Sequence, residues 1–238
     1  MPKKMAVAYA MVFPVIALLA SCGGGGGGGD SAATTPPAST LSFPLQSAYK
    51  TLIANGLTKT FTVSGSCSGS GSKTSAPAAT AATFEGVAAL SAVGTLTMLL
   101  SNCTPASIAQ TYTGYFDSNY VPLGHNSVGV NYGVYLTPTS IPTSVTVGGT
   151  GVYGTETLYT NSTKATGNGS IVQSYVVEAD TSTTAIVNLI SKIYNAAGTL
   201  TATEQDRYRI AAVGALTPVS ADIQYANGST THLVVTYN

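Results

Sequence analysis

From Lys59 onward, short runs of alternating apolar and polar residues are broken again and again by Gly, Pro, Asn or Ser. This pattern constrains the fold more than any other feature. A period of two buries one face of a strand, and the interruptions are turn chemistry. "KTFTVSGSC" sets Phe61, Val63 and Gly65 against threonines and a serine. "GTLTMLLSNC", "IAQTYTGYFD", "VNYGVYLT", "TSVTVGGTGVYGTETLYT" and "SIVQSYVVEAD" follow in the same style. Near the C-terminus, Asn227-Gly228 stands between two alternating runs, the strongest short-range hairpin signal. Asn195 and Gly198 bracket a second hairpin loop. The chain therefore reads as all-β, an antiparallel meander of about eight to eleven strands that forms a barrel, a half-barrel or a sandwich.

Two segments depart from that pattern. Over 41–56, Leu45, Ala48, Tyr49 and Leu52 recur at helical spacing and Gly56 can end the turn, which predicts one short N-terminal helix. In "AIVNLISKIYN" the spacing of Ile186, Leu189, Ile190 and Ile193 also fits a helix, while its β-branched content fits a buried strand. The strand is preferred, because the turn at Asn195–Gly198 pairs it with 199–210.

The first forty residues belong to a different regime. Lys3 and Lys4 precede an apolar run from Met5 to Ala20, shorter than the roughly 20 residues of a membrane-spanning helix. A basic start and a short apolar run are the grammar of an export signal. The run ends in Leu19-Ala20-Ser21-Cys22, which resembles the lipobox of bacterial lipoproteins. The resemblance implies a signal peptide over 1–21, cleavage before Cys22, and acylation of Cys22. It implies no catalytic activity. Gly23, in place of an aspartate, points within that family to the outer membrane, facing either the periplasm or the exterior. Gly23–Gly29 and the Pro- and Thr-rich residues after them cannot bury apolar surface. Residues 22–40 thus read as a tether spanning about 25 Å, and 41–238 as a single domain.

Composition sets further bounds. Removing Lys3 and Lys4 leaves seven basic and nine acidic side chains, a net charge of −2. With no basic stripe, nucleic-acid binding is excluded. Few charges remain for the surface, so Thr, Ser, Asn and Gly must face the solvent. Besides Cys22, the chain holds Cys67 and Cys103 alone, which in an oxidising compartment read as a disulfide. The competing reading is a pair of free buried thiols. No metal site and no cofactor motif is found, and no G-x-S-x-G or H-E-x-x-H pattern appears.

Few residues are left to carry chemistry. On a strand, Glu204, Asp206 and Tyr208 share one face of "EQDRYR", and Arg207 and Arg209 the other. Either the two arginines hold an anionic ligand in a concave surface, or they form cross-strand ion pairs on a solvated face. Glu178 and Asp180 are too close in sequence to act as a glycosidase pair across a cleft. His125 reads as a polar loop residue from its Pro and Gly flanks. Tyr112, Tyr115 and Tyr120 cluster beside a turn, as a recognition patch or as core. The sequence therefore predicts a non-catalytic lipoprotein, attached to the membrane by its lipid, that binds an apolar ligand or an envelope protein. An adhesin or surface scaffold is the alternative. An enzyme built on Asp117, His125, Glu178 or Asp180 ranks below both.

Overall fold

The computed structural model describes residues 38–226 and 231–238. Cys22, most of the tether and the Asn227-Gly228 turn lie outside these residues. One helix, α1 (Leu45–Asn55), precedes thirteen strands. They are β1 (Leu57–Gly65), β2 (Ser68–Ser75), β3 (Thr80–Phe84), β4 (Val87–Ser101), β5 (Ser107–Phe116), β6 (Pro122–Ser127) and β7 (Asn131–Tyr135). β8 (Thr150–Tyr159), β9 (Gly167–Ala179), β10 (Thr184–Tyr194), β11 (Leu200–Ala211), β12 (Leu216–Tyr225) and β13 (His232–Tyr237) complete the set.

Neighbours in sequence pair antiparallel nearly throughout. Two further ladders close the ring. β1 pairs with β13, and β2 skips β3 to pair with β4 over Ser68–Ser75. Twelve strands form a closed antiparallel barrel, and β3 stands outside it, paired with the first residues of β4. Closure leaves the ring itself without an open edge. The segment 185–195 is β10, a strand over its ordered length. The strand count exceeds the sequence expectation because β2, "SGSGSKTS", holds no large apolar residue. The segments that form β3, β6 and β7 are only five or six residues long.

The alternation resolves into an inside and an outside. On β1, Phe61 and Val63 are buried while Thr58, Thr60, Thr62 and Ser64 are exposed. Thr60, Ser72 and Thr97 stand abreast on β1, β2 and β4. Their hydroxyls link laterally: Ser72 Oγ to Thr97 Oγ1 at 2.9 Å, and Thr74 Oγ1 to Thr95 Oγ1 at 2.7 Å. This hydroxyl-rich wall supplies the solvent face that sparse charge cannot.

Eight strands enclose just enough volume for side chains to fill, and twelve enclose more. Tyrosines and α1 take up the difference. Tyr49, Tyr112, Tyr153, Tyr175 and Tyr208 are all buried in the interior. Several rings lie over a glycine on the next strand: Tyr112 over Gly94, Tyr175 over Gly151 and Phe61 over Gly71. A Cβ on Gly94 would sit 2.2 Å from Tyr112 Cζ. Gly94→Ala should therefore lower the unfolding free energy by about 1–3 kcal/mol, measured by urea titration. An unchanged midpoint would show that Tyr112 moves aside freely.

α1 closes one end of the barrel. Pro44 precedes it, and Gly56 (φ +73°) ends it with its N–H donating to the Leu52 carbonyl at 3.0 Å. Leu45, Ala48, Tyr49 and Ile53 face inward. Phe43 bridges to Val145, and the Ile53 carbonyl accepts from Ala78 N–H at 3.0 Å. Ser39 is already buried, and its hydroxyl donates to the Ser182 carbonyl at 2.9 Å. The chain thus enters the fold at the α1 end. At the far end Cys67, between β1 and β2, and Cys103, between β4 and β5, form a disulfide with Cα atoms 5.8 Å apart.

Candidate functional site

Alternation on β11 sends Glu204, Asp206 and Tyr208 into the lumen, where Glu204 and Asp206 are 6% and 1% exposed. Lys73 faces them from β2, where it alternates with inward Gly69 and Gly71. Two carboxyls and one amine in an apolar interior are costly as ions. Burial, together with Asp206, pushes Glu204 well above the usual carboxylate range. Asp206 is pushed up to about 7, mainly by burial, with Lys73 pulling the other way. Burial lowers Lys73. Asp206 Oδ2 accepts a long bond from the Tyr208 hydroxyl at 3.4 Å, while Oδ1 is buried without a partner.

A second buried pair lies nearer α1. His125 Nδ1 meets Glu156 Oε1 at 2.7 Å, and its Nε2 meets Asn131 Oδ1 at 2.8 Å. With Glu156 at one ring nitrogen and the Asn131 oxygen at the other, the surroundings favour the doubly protonated imidazole. Burial alone would lower its pKa, but Glu156 and the two hydrogen bonds more than offset this and raise it. A Cβ on Gly133 would lie 2.4 Å from Glu156 Oε1 and 2.5 Å from His125 Cε1, so only glycine leaves room for the pair. Beside it the Tyr135 hydroxyl donates to Gln173 Oε1 at 2.5 Å.

His125 is thus on strand β6 and 3% exposed, which corrects the expectation of a loop. The flanks that suggested a loop have other causes. Pro122 opens β6, and Gly124 (φ +155°) lets the Phe84 ring approach the backbone.

The free space inside is small. A chamber beneath α1, lined by Lys73, His125, Glu156 and several tyrosines, holds about 50 Å³. A second, around Lys73, Glu204 and Asp206, holds about 30 Å³. Such volumes suit water molecules. More room lies at the mouth, where a groove of about 210 Å³ runs between α1, the β5–β6 turn and the loop after β7.

The other sequence candidates are scattered. Arg207 and Arg209 project outward, not into a concave surface. Arg207 Nε pairs with Glu178 Oε2 at 3.1 Å, and Arg209 Nε with Asp180 Oδ2 at 2.7 Å. Of the tyrosines, Tyr112 is inside, at 2% exposure. Tyr115 is on the outer wall, stacked on Phe84 at 4.5 Å. Tyr120 lines the mouth groove. Asp117 organises that turn, its Oδ1 accepting from the N–H groups of Asn119 (2.7 Å) and Val121 (2.9 Å). Among the described residues, no cluster of three His, Cys, Asp or Glu can hold a metal. Comparison with protein-family models, curated proteins and solved structures returns no match to this chain.

Lys73, Glu156 and Gln173 are lumen residues that the sequence reading passed over. Lys73 had a signal: in "SGSGSKTS" it occupies the glycine face rather than the serine face.

Proposed function

We propose that the chain is a bacterial envelope lipoprotein, acylated at Cys22 and held at the outer membrane. Its barrel is a non-catalytic binding module carried on the 22–40 tether. The observation that carries this reading is the filled interior. Chambers of about 50 and 30 Å³ are small for a lipid-sized cargo, whereas the mouth groove of about 210 Å³ offers more room to a partner or a small ligand. His125, on which an enzyme reading leans, has both ring nitrogens engaged and none to present to a substrate. The apolar face of α1 favours the second reading, an apolar ligand in the lumen. Withdrawing Tyr49, Leu52 and Ile53 would open a chamber lined largely by apolar surface.

Mass spectrometry of the full protein, extracted from membranes in mild detergent, tests both readings. The expected mass begins at Cys22, carries covalent acyl chains, and lacks two hydrogens for Cys67–Cys103. Native and denatured masses should agree. A non-acylated chain would overturn the anchor. A species of several hundred daltons present only in the native spectrum would replace the filled barrel with the carrier.

A further inference from the structure

We infer that Lys73 is a reversible carbamylation site, which takes up one molecule of carbon dioxide in the chamber it shares with Glu204 and Asp206. Such a site is independent of the mouth groove and of the lipid anchor.

The lumen supplies a gap of the right size. Lys73, Glu204 and Asp206 line one chamber of about 30 Å³, whose other walls include Phe61, Leu96 and Met98. Among the described residues, Lys73 forms no ion pair with either carboxyl. The amine and the two acids thus face one another across free space. Asp206 is 1% exposed, and its Oδ1 is buried without a hydrogen-bond partner. A buried acceptor left unmet is costly, and a group carried on the lysine would meet it. On the measure by which about 10–15 Å³ holds one water, the chamber takes about two. That is room for one small linear molecule and not for a sugar or an acyl chain. An open channel is not required, because enclosed apolar cavities take up uncharged guests such as xenon and benzene. Bicarbonate, being an ion, is kept out by the cost of desolvation.

Carbamylation needs a free amine, a base for the proton released, and donors for the anion formed. Burial lowers Lys73, which favours the nucleophilic amine. Asp206, pushed up to about 7, is divided between its two forms at neutral pH, and as a carboxylate it takes the proton. Glu204, raised well above the usual carboxylate range by burial, keeps its proton and donates it in a hydrogen bond. In the step, the Lys73 nitrogen lone pair forms the N–C bond and one C=O π pair moves onto oxygen. An N–H proton passes to Asp206. Amine and carboxylate become carbamate and carboxylic acid, so the chamber holds one negative charge before and after. No further charge has to be buried, and both acids then donate to the new oxygens. The reaction reverses when dissolved carbon dioxide is removed.

The test is carbon-13 NMR of the full protein in mild detergent at neutral pH, equilibrated with labelled bicarbonate. Any carbamate is then alkylated with an oxonium reagent and located by peptide mass spectrometry. One carbamate resonance is expected, separate from bicarbonate and dissolved carbon dioxide, with the trapped carboxyl on the peptide that holds Lys73. Lys73→Met should remove it. Asp206→Asn should lower it several-fold with the folded amide spectrum retained, and Glu204→Gln, which keeps a donor, should preserve it. The trap reads the unmutated chain, so it assigns the site even where a Lys73→Met protein fails to fold. A label confined to Lys50, Lys59, Lys164 or Lys192 would overturn the inference, and so would the absence of label. An unlabelled chain lighter by one water, with Lys73 joined to Glu204 or Asp206 as an amide, would overturn it as well.

Discussion

The thermal midpoint of the barrel should fall as pH rises from 5 to 8, and Asp206→Asn should make that fall shallower. The sign follows from the lumen. Asp206 titrates near 7 in the fold, against 3.8 as the ordinary value. Between those limits the folded chain holds a proton that the unfolded chain has released, so stability declines with pH. A shift of that size corresponds to about 4 kcal/mol. Glu204, also raised, acts in the same direction. His125 adds to it: its raised value stabilises the fold fully below the ordinary 6.5, and this is lost as pH climbs through the folded value. Two surface ion pairs oppose it weakly. Asp180 and Glu85 are lowered by Arg209 and Lys164, which favours the fold above the usual carboxylate range. Both pairs are partly exposed, and such pairs contribute about 0.2–1 kcal/mol. Lys73, lowered by burial, opposes the fall above its own lowered value, where the fold gains stability with pH up to 10.5. At pH 8 Asp206→Asn should stabilise the protein by about 2–4 kcal/mol. If it destabilises instead and leaves the pH profile unchanged, Asp206 is an ion held by Lys73.

That prediction turns on a fact that the sequence held only in half. Alternation in "EQDRYR" separates Glu204, Asp206 and Tyr208 from Arg207 and Arg209. It does not say which set faces inward. Charge favours neither, and the answer depends on Glu178 and Gln205, which accept from Arg207 and are held by the Asn188 amide between them. The helix at 45–55, the identity of β10 and the disulfide were legible because each rests on local spacing or on counting. Barrel closure was not. It depends on β2 skipping β3 to reach β4, a pairing of Ser- and Gly-rich strands with no apolar signature. His125 was misplaced for the converse reason, since Pro and Gly mark strand starts and close approaches as well as loops. The mouth groove draws its wall from α1, the β5–β6 turn and the loop after β7, segments brought together only by closure.

The seam between β2 and β4 is also where the disulfide should matter most. β2 offers the interior Gly69, Gly71, Lys73 and Ser75, so little apolar packing holds it against β4. Backbone hydrogen bonds carry the pairing, and Cys67–Cys103 ties the loops at its far end, where Ser68 pairs with Ser101. Linking residues 36 apart constrains the unfolded chain by about 4 kcal/mol on the chain-entropy estimate. Replacing both cysteines with serine should therefore lower the midpoint by about 8–16 °C, at roughly 2–4 °C per kcal/mol for a chain of this size. Entropy of the unfolded chain alone would speed amide exchange evenly wherever exchange requires global unfolding. The weak seam predicts more. Amides of Ser68–Ser75 and of their partners in β4 should lose protection first, ahead of β9, β10 and β11, whose inward faces carry Val177, Leu189, Ile193 and Ile210. Uniform acceleration would assign the bond to the unfolded state only. Preferential opening would make it the fastener of the barrel, so that the ring becomes fully closed only in a compartment that oxidises it.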